Sequence, residues 1–238
     1  MVVIRLEMKA CFMNVLIVVP AYNEEESIVS TIEELKSIAP QYDYLIINDG
    51  SRDATRQICI ERRYNLLDLP ANVGLTYGFQ AGVKYALQHG YDAVLQFDAD
   101  GQHDAAYIQP IVNQMMSSNS DIVIGSRFKE QSKDYSPRMI GSRLISLFIS
   151  LTCGKHLTDP TSGMRLFSRR SMNYFCRMND FGPEPDSLAF LIRKGLTVSE
   201  VQVSMRDRYA GESYLNLANS VKYMLRTCIS ILFIQWFR

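Results

Sequence analysis

Apolar residues along the chain fall into short, unbroken runs separated by longer stretches with a helical period. Val15 to Val19 is wholly apolar and rich in β-branched residues, and it ends at Pro20, which lacks a backbone donor; this predicts a buried strand. Tyr44 to Ile47, Ala93 to Phe97 and Asp121 to Ile124 repeat the pattern. Between them, Glu25 to Ile38 places Ile28, Ile32 and Leu35 on one stripe, Thr76 to His89 reads as a helix with Gly90 as its C-cap, and Ala105 to Met116 is helical again. Strands alternating with helices of about 10 to 14 residues predict right-handed crossovers and a mainly parallel sheet, so the expected class is α/β. The strand runs lack polar alternation, as strands covered on both faces do.

The second half is less regular. Met139 to Leu151 is a broadly apolar helix with Ile140, Leu144, Leu147, Phe148 and Leu151 on one side. Asp159 to Arg165 reads as a polar turn, Leu166-Phe167 as a short strand, Glu184 to Lys194 as a helix, Thr197 to Met205 as an alternating strand, and Leu215 to the end as a final helix. In that helix Leu217, Val221, Met224, Leu225, Cys228 and Leu232 form an apolar stripe opposite Asn219, Lys222, Arg226 and Ser230, and Ile231 to Phe237 widens it. Such stripes pack on a sheet, build a homo-oligomer interface or lie in a membrane interface, and the pattern leaves all three open. The expected organisation is a tail at 1–12, one domain at 13–214 and an amphipathic C-terminal helix at 215–238.

Composition narrows the function. Lys plus Arg and Asp plus Glu are 25 each among 238 residues, which argues against a nucleic-acid binder. None of the five cysteines forms a C-x-x-C pair, so no disulfide scaffold or zinc knuckle is implied and a reduced, cytoplasmic setting is expected. No apolar run reaches the roughly 18 to 20 residues needed to span a bilayer. Arg5, Glu7 and Lys9 interrupt the N-terminal segment, which leaves no signal-peptide core.

Polar clusters close the predicted strands, and in an open parallel sheet those ends share the edge where ligands bind. Asp98-Ala99-Asp100 offers two carboxylates to one hard cation, with Gln102 able to add a carbonyl oxygen and His103 a further candidate ligand; Mg2+ or Mn2+ held this way keeps positions for phosphate oxygens. The same residues also read as a solvated turn that caps the next helix. Pro20-Ala21-Tyr22-Asn23-Glu24 lies in the first strand-to-helix loop, where a ring can stack on a base and a carboxylate can read ribose hydroxyls. It lacks G-x-G-x-x-G, so the dinucleotide fingerprint is absent, and acidic residues at a helix start suit the dipole equally well. Asn48-Asp49-Gly50-Ser51 either contacts a nucleoside or forms a turn with Ser51 as N-cap.

Taken in order, these motifs resemble the family 2 glycosyltransferases of the GT-A fold, and within them the branch of dolichyl-phosphate mannose synthase and bacterial polyprenyl-phosphate glycosyltransferases. The resemblance runs from about Val15 to Tyr214 and also takes in Asn72-Val73-Gly74-Leu75, Gly125-Ser126-Arg127 and Gly211-Glu212-Ser213. It implies a Rossmann-like sheet flanked by helices and an inverting, metal-dependent transfer of a hexose. The donor would be a nucleotide diphosphate sugar, commonly UDP-linked, and the acceptor a polyprenyl phosphate or a growing cell-surface glycan. By the same resemblance Pro20, Tyr22 and Glu24 line the nucleotide pocket and Asp49 reads the base. Asp98 lies near ribose or metal, while Asp100 and Gln102 ligate Mg2+ or Mn2+. Arg127 and Arg165 contact phosphate, and Arg208 and Ser213 belong to a loop that closes over the diphosphate. Asp186, in Pro183-Glu184-Pro185-Asp186, falls on the second acidic position as base or acceptor-orienting group; it also reads as capping in the first turn of a helix.

Two departures matter. Tyr214 stands where a Lys often follows Gly-Glu-Ser, and Gln235-Trp236-Phe237-Arg238 does not fit the Q-x-x-R-W of processive synthases, which excludes a processive polymerase. Several relatives continue into transmembrane helices; this sequence shows none, so peripheral attachment at the inner face of the cell membrane, or a separate membrane protein partner, is expected. A nucleotide-sugar-binding subunit active only with such a partner is the alternative reading.

Overall fold

The computed structural model describes residues 13–131, 137–206 and 217–234. In chain order the elements are β1 (Val15–Ala21), α1 (Ile28–Ile38), β2 (Asp43–Asn48), α2 (Thr55–Glu61), β3 (Leu66–Asp68), α3 (Leu75–Gln88), β4 (Ala93–Gln96), α4 (Ile108–Ser118), β5 (Ile122–Ser126), α5 (Pro137–Cys153), β6 (Arg165–Ser168), α6 (Arg169–Arg177), α7 (Pro185–Arg193), β7 (Val198–Gln202) and α8 (Leu217–Leu232). A single 3-10 turn, Ala105–Tyr107, leads into α4. The strands form one seven-stranded sheet in the order β3-β2-β1-β4-β6-β5-β7.

The pairs β1–β2, β1–β4, β2–β3 and β5–β7 are parallel, and β6 runs antiparallel between β4 and β5. The mainly parallel α/β expectation therefore holds, with β6 as the exception. That exception matters, because Arg165, the first residue of β6, lies opposite Gln96, the last residue of β4. The antiparallel strand starts where the parallel ones end. The preceding turn, Asp159 to Met164, consequently shares an edge with the loops that follow β1, β2 and β4.

Val15 to Val19 are each at most 1% exposed, which explains a run with no polar alternation. Leu16 and Val18 enter a core shared with α3, α6 and α7, whereas Val15, Ile17 and Val19 enter one shared with α1 and α4. Phe79, Phe167, Phe175, Phe181 and Phe190 build the first as a chain of mostly edge-to-face rings. Full burial of each such side chain contributes about 1.5 to 3 kcal/mol.

Several boundaries move. Glu25 to Ser27 form a turn and α1 begins at Ile28. Gly90 adopts φ +81° just past the end of α3, as a terminating glycine does. The short elements α2, β3 and α6 are additions to the sequence reading. In α2 only Thr55 and Cys59 are buried, and β3 is a three-residue edge strand, so neither makes a long periodic signal.

The largest change concerns α5 and α8, which lie side by side. The stripe Ile140, Leu144, Leu147 and Leu151 faces outward, and Met139, Ser142, Ile145, Ser146 and Ile149 form the buried face. In α8, Thr227, Ser230 and Ile231 are buried while Leu225 and Ile229, with Phe233 and Ile234 just beyond, are exposed. Packing of the whole apolar stripe on the sheet is thereby excluded. Ile231 nonetheless joins the α3/α6/α7 core, so α8 is part of the domain body. Residues 1–12, Arg208, Gly211 to Tyr214 and Gln235 to Arg238 lie outside the described residues, as do the side chains of Leu217, Asn219 and Val221.

Candidate active site

The strand order reverses between β1 and β4, so the loops leaving their C-terminal ends diverge and open a crevice. The β1–α1 and β2–α2 loops are laced together along it. Asn23, at φ +56°, donates its backbone N–H to Ser51 Oγ at 3.0 Å and accepts from Arg52 N through Oδ1 at 2.8 Å. Glu24 N–H donates to Thr55 Oγ1 at 2.8 Å, and Ser27 Oγ donates to the Glu24 carboxylate at 2.7 Å. Pro20, Tyr22 and Glu24 are half-buried beside the crevice. Ser51 therefore joins the two loops, and the N-cap of α2 is Ala54.

Asp49 is 6% exposed, and its two carboxylate oxygens accept backbone N–H groups of Val73 and Gly74 at 2.7 and 2.8 Å. It thus ties the end of β2 to the start of α3. Gly50 makes this possible: its φ is +63°, and a Cβ there would lie 2.5 Å from Ala71 C and Asn72 N.

The loop after β4 is equally constrained. Gln96 Nε2 donates to Asp98 Oδ1 at 3.0 Å, Asp98 N–H donates to His103 Nδ1 at 2.9 Å, and Gln102 N–H donates to Asp100 Oδ1 at 3.1 Å. Thr31 of α1 donates to the Ala99 carbonyl at 3.1 Å. The Gln102 carbonyl accepts from Arg206 N at 2.9 Å, and the Arg206 guanidinium pairs with Glu34 and Asp104. Gln102's backbone oxygen is thus engaged within the protein. His103 turns its Nδ1 to the backbone, which removes that nitrogen from the candidate ligand set.

Among the described residues no group of three or more His, Cys, Asp or Glu side chains converges as a metal cage. The donor set still fits Mg2+ or Mn2+. Asp98 and Asp100 supply hard oxygens from one strand-end loop, and such ions are commonly held by one or two carboxylates with substrate phosphates completing the shell.

On the β5–β6 side the two arginines shape the wall. Arg127 grips Asp159 as a fork, Nε to Oδ2 at 2.7 Å and a terminal nitrogen to Oδ1 at 2.9 Å. Burial pushes the Asp159 carboxyl up, but the Arg127 hydrogen bonds and charge outweigh it and hold the group below the usual carboxylate range. Glu200 accepts from the backbone N–H groups of Thr158 and Asp159 and braces the same turn. Arg165 is 2% exposed and donates to the carbonyls of Pro183 and Pro160 at 2.9 and 2.6 Å. Burial pulls its guanidinium down, against the opposing charges of Glu184, Asp159 and Asp98. Both cations are spent on the protein's own loops.

At the N-terminus of α7, the hydroxyl of Tyr223 donates to the Glu184 carboxylate, and Ser230 Oγ donates to Asp186 Oδ2 at 2.7 Å. Burial and the Glu184 charge push the Tyr223 hydroxyl well above its ordinary value. Asp186 also accepts from Ser187 N at 2.9 Å in the first turn, so it has the helix-start placement that the dipole favours. These residues line a cleft of about 420 Å³ bounded by Thr76, Gly182 and Arg226. The sequence pattern did not signal Tyr223 and Ser230 at this cleft, or Asp159 and Glu200 at the β5–β6 wall, since their partners lie on distant segments.

Residues 16–175 match the family model described as Glycosyl transferase family 2. The chain belongs to this family. As a family 2 glycosyltransferase it is 29% identical to the undecaprenyl-phosphate mannosyltransferase of Micrococcus luteus, over 86% of this chain and 88% of that protein. It is 23% identical to the polyprenol monophosphomannose synthase of Mycolicibacterium smegmatis, over 89% of this chain and 84% of the relative. Among solved structures, glucosyl-3-phosphoglycerate synthase from Mycobacterium tuberculosis in complex with Mn2+ and UDP-glucose superposes with a TM-score of 0.70 at 17% identity, covering 92% of this chain and 79% of that one. That last likeness establishes the GT-A-type fold of this glycosyltransferase.

Proposed function

We propose that this glycosyltransferase moves a hexosyl group from a nucleotide diphosphate sugar, most simply a UDP-sugar, to a polyprenyl phosphate at a membrane surface, with inversion at the anomeric carbon. The observation that carries the reading is the pairing of Asp98 and Asp100 in one pinned loop at the β1–β4 reversal. Pro20, Tyr22, Glu24 and Asp49 lie along the nucleotide end of the crevice. A Mg2+ or Mn2+ ion held by Asp98, Asp100 and the Gln102 side chain would neutralise charge on the departing diphosphate. An oxygen of the lipid phosphate attacks C1 of the sugar, the bond from C1 to the diphosphate breaks, and the nucleoside diphosphate leaves. The attacking group is already an anion, so no base has to remove a proton. Asp186 then serves to orient the acceptor, and Arg127 and Arg165 keep the Asp159 to Met164 turn in place. Arg208 and Ser213 retain the role the resemblance implies, contact with the diphosphate.

A lipid acceptor, rather than a glycan, agrees with the names of the curated relatives. It also agrees with the outward apolar faces of α5 and α8. No helix among the described residues is long and apolar enough to cross a membrane. However, residues 137–158 and 217–234 contain no Asp or Glu, while Arg143, Lys155, Lys222 and Arg226 are basic. An apolar face whose own helices carry only basic charges suits attachment to the surface of an anionic bilayer, here the cytoplasmic face.

The test is release of nucleoside diphosphate, and formation of glycosyl lipid, from UDP- and GDP-sugars with undecaprenyl phosphate and Mg2+ or Mn2+. Asp100→Ala is expected to lose turnover by at least about a hundredfold with its melting temperature retained, in the range found when a charge-stabilising group is removed. Full turnover in that variant would overturn the assignment.

A further inference from the structure

The residues around Asp98 outnumber what a solvated turn needs. Its side chain is 36% exposed, yet three groups define where it points. Gln96 Nε2 holds Oδ1 at 3.0 Å. The His103 ring lies beside Oδ2, its Nε2 at 3.5 Å. Gly163, from the turn before β6, approaches so closely that a Cβ there would lie 2.5 Å from Asp98 Oδ2 and 3.4 Å from His103 Cε1.

His103 itself has little freedom. It is 3% exposed, and its ring stands edge-on to Phe97 at 5.3 Å between centroids. Its Nδ1 accepts the Asp98 backbone N–H at 2.9 Å, and the ring lies beside the carboxylate of the same residue, with Nε2 3.5 Å from Oδ2. One imidazole thereby holds the backbone of this aspartate by a hydrogen bond and walls one side of its carboxylate. Gly163 is outside the left-handed region, so an alanine there meets no backbone penalty, and its only conflict is with Asp98 and His103.

We propose that His103 and Gly163 are positioning residues that aim the Asp98 carboxylate into the crevice, His103 by the ring it sets against Oδ2 and Gly163 by leaving the space the carboxylate occupies. The inference rests on the reading of Asp98 as part of the cation and diphosphate site. It assigns His103 the role of orienting a ligand instead of being one, in the way that outer groups commonly tune a metal site.

Two substitutions separate this role from general stability. His103→Asn keeps an oxygen at the distance of Nδ1 along the side chain, and so retains the acceptor for Asp98 N–H, but it does not reach Oδ2. Gly163→Ala leaves His103 intact and displaces the carboxylate from the opposite side. Mn2+ binding in the presence of UDP, read from the paramagnetic resonance signal of free Mn2+, is expected to weaken about 10- to 100-fold in each variant. Melting temperature and metal-free UDP binding are expected to stay near those of the parent. Asp98→Ala serves as the reference. If Asp98→Ala binds Mn2+ as the parent does, the site reading itself fails. If Asp98→Ala is impaired while every folded variant of the other two binds Mn2+ normally, the positioning role is overturned.

Discussion

Asp159 shows how much one residue's surroundings decide. From the sequence it is the first residue of a polar turn; in the fold it is fully buried, gripped by Arg127 and hydrogen-bonded through its backbone to Glu200. Its folded carboxyl lies below the usual range, so folding favours the ionised form. The stabilisation is complete above the unfolded value near 4 and is lost as pH falls through the lower folded value. The gap in melting temperature between the parent and Asp159→Asn is therefore expected to be widest near neutral pH and to narrow below about pH 4. Arg127→Ala leaves the carboxylate buried and unpaired, and a loss of about 3 to 5 kcal/mol is expected from chemical denaturation. Asp49 carries the same lesson. The sequence placed it correctly at a strand end, but its partners, the amides of Val73 and Gly74, sit 24 and 25 residues away and are chosen by the packing of α3 against β2.

Most helices and strands are legible in the apolar pattern, and α2, β3 and α6 are not. The stripe of α1 was legible because its buried residues repeat over three turns; α2 and β3 bury too little to leave a pattern. Close approach between elements is less visible still. Gly82 of α3 lies over β1 so tightly that a Cβ would come within 2.7 and 2.8 Å of the two γ-carbons of Val18. Val18 is β-branched and buried in a central strand, so it has no alternative rotamer to yield. Gly82→Ala is expected to destabilise by about 1 to 3 kcal/mol, measured by urea unfolding, although alanine is the better helix former.

Across the whole molecule the equal count of acids and bases conceals a separation. Carboxylates gather at the crevice, while α5 and α8 carry bases and two outward apolar stripes. Binding to vesicles containing anionic lipid is expected to exceed binding to neutral vesicles and to fall as salt rises. Replacing Leu147 and Ile229 with Ser is expected to weaken it about tenfold or more in a sedimentation assay, since each exposed side chain contributes about 1.5 to 3 kcal/mol when it leaves water. Equal binding by parent and variant would remove these faces from the attachment surface.

The sequence alone determined the alternation of strands and helices, the collection of acidic residues at strand ends and the amphipathic character of α5 and α8. Those properties depend on neighbours a few positions apart, and local backbone geometry converts spacing directly into a face or an edge. The tertiary structure decided which face α5 buries, that β6 runs against its neighbours, and that Arg127, Arg165 and Gly163 act on loops and carboxylates far along the chain. A hydrogen bond or a close contact between distant segments leaves no period in the sequence, because it exists only once the sheet has brought those segments side by side.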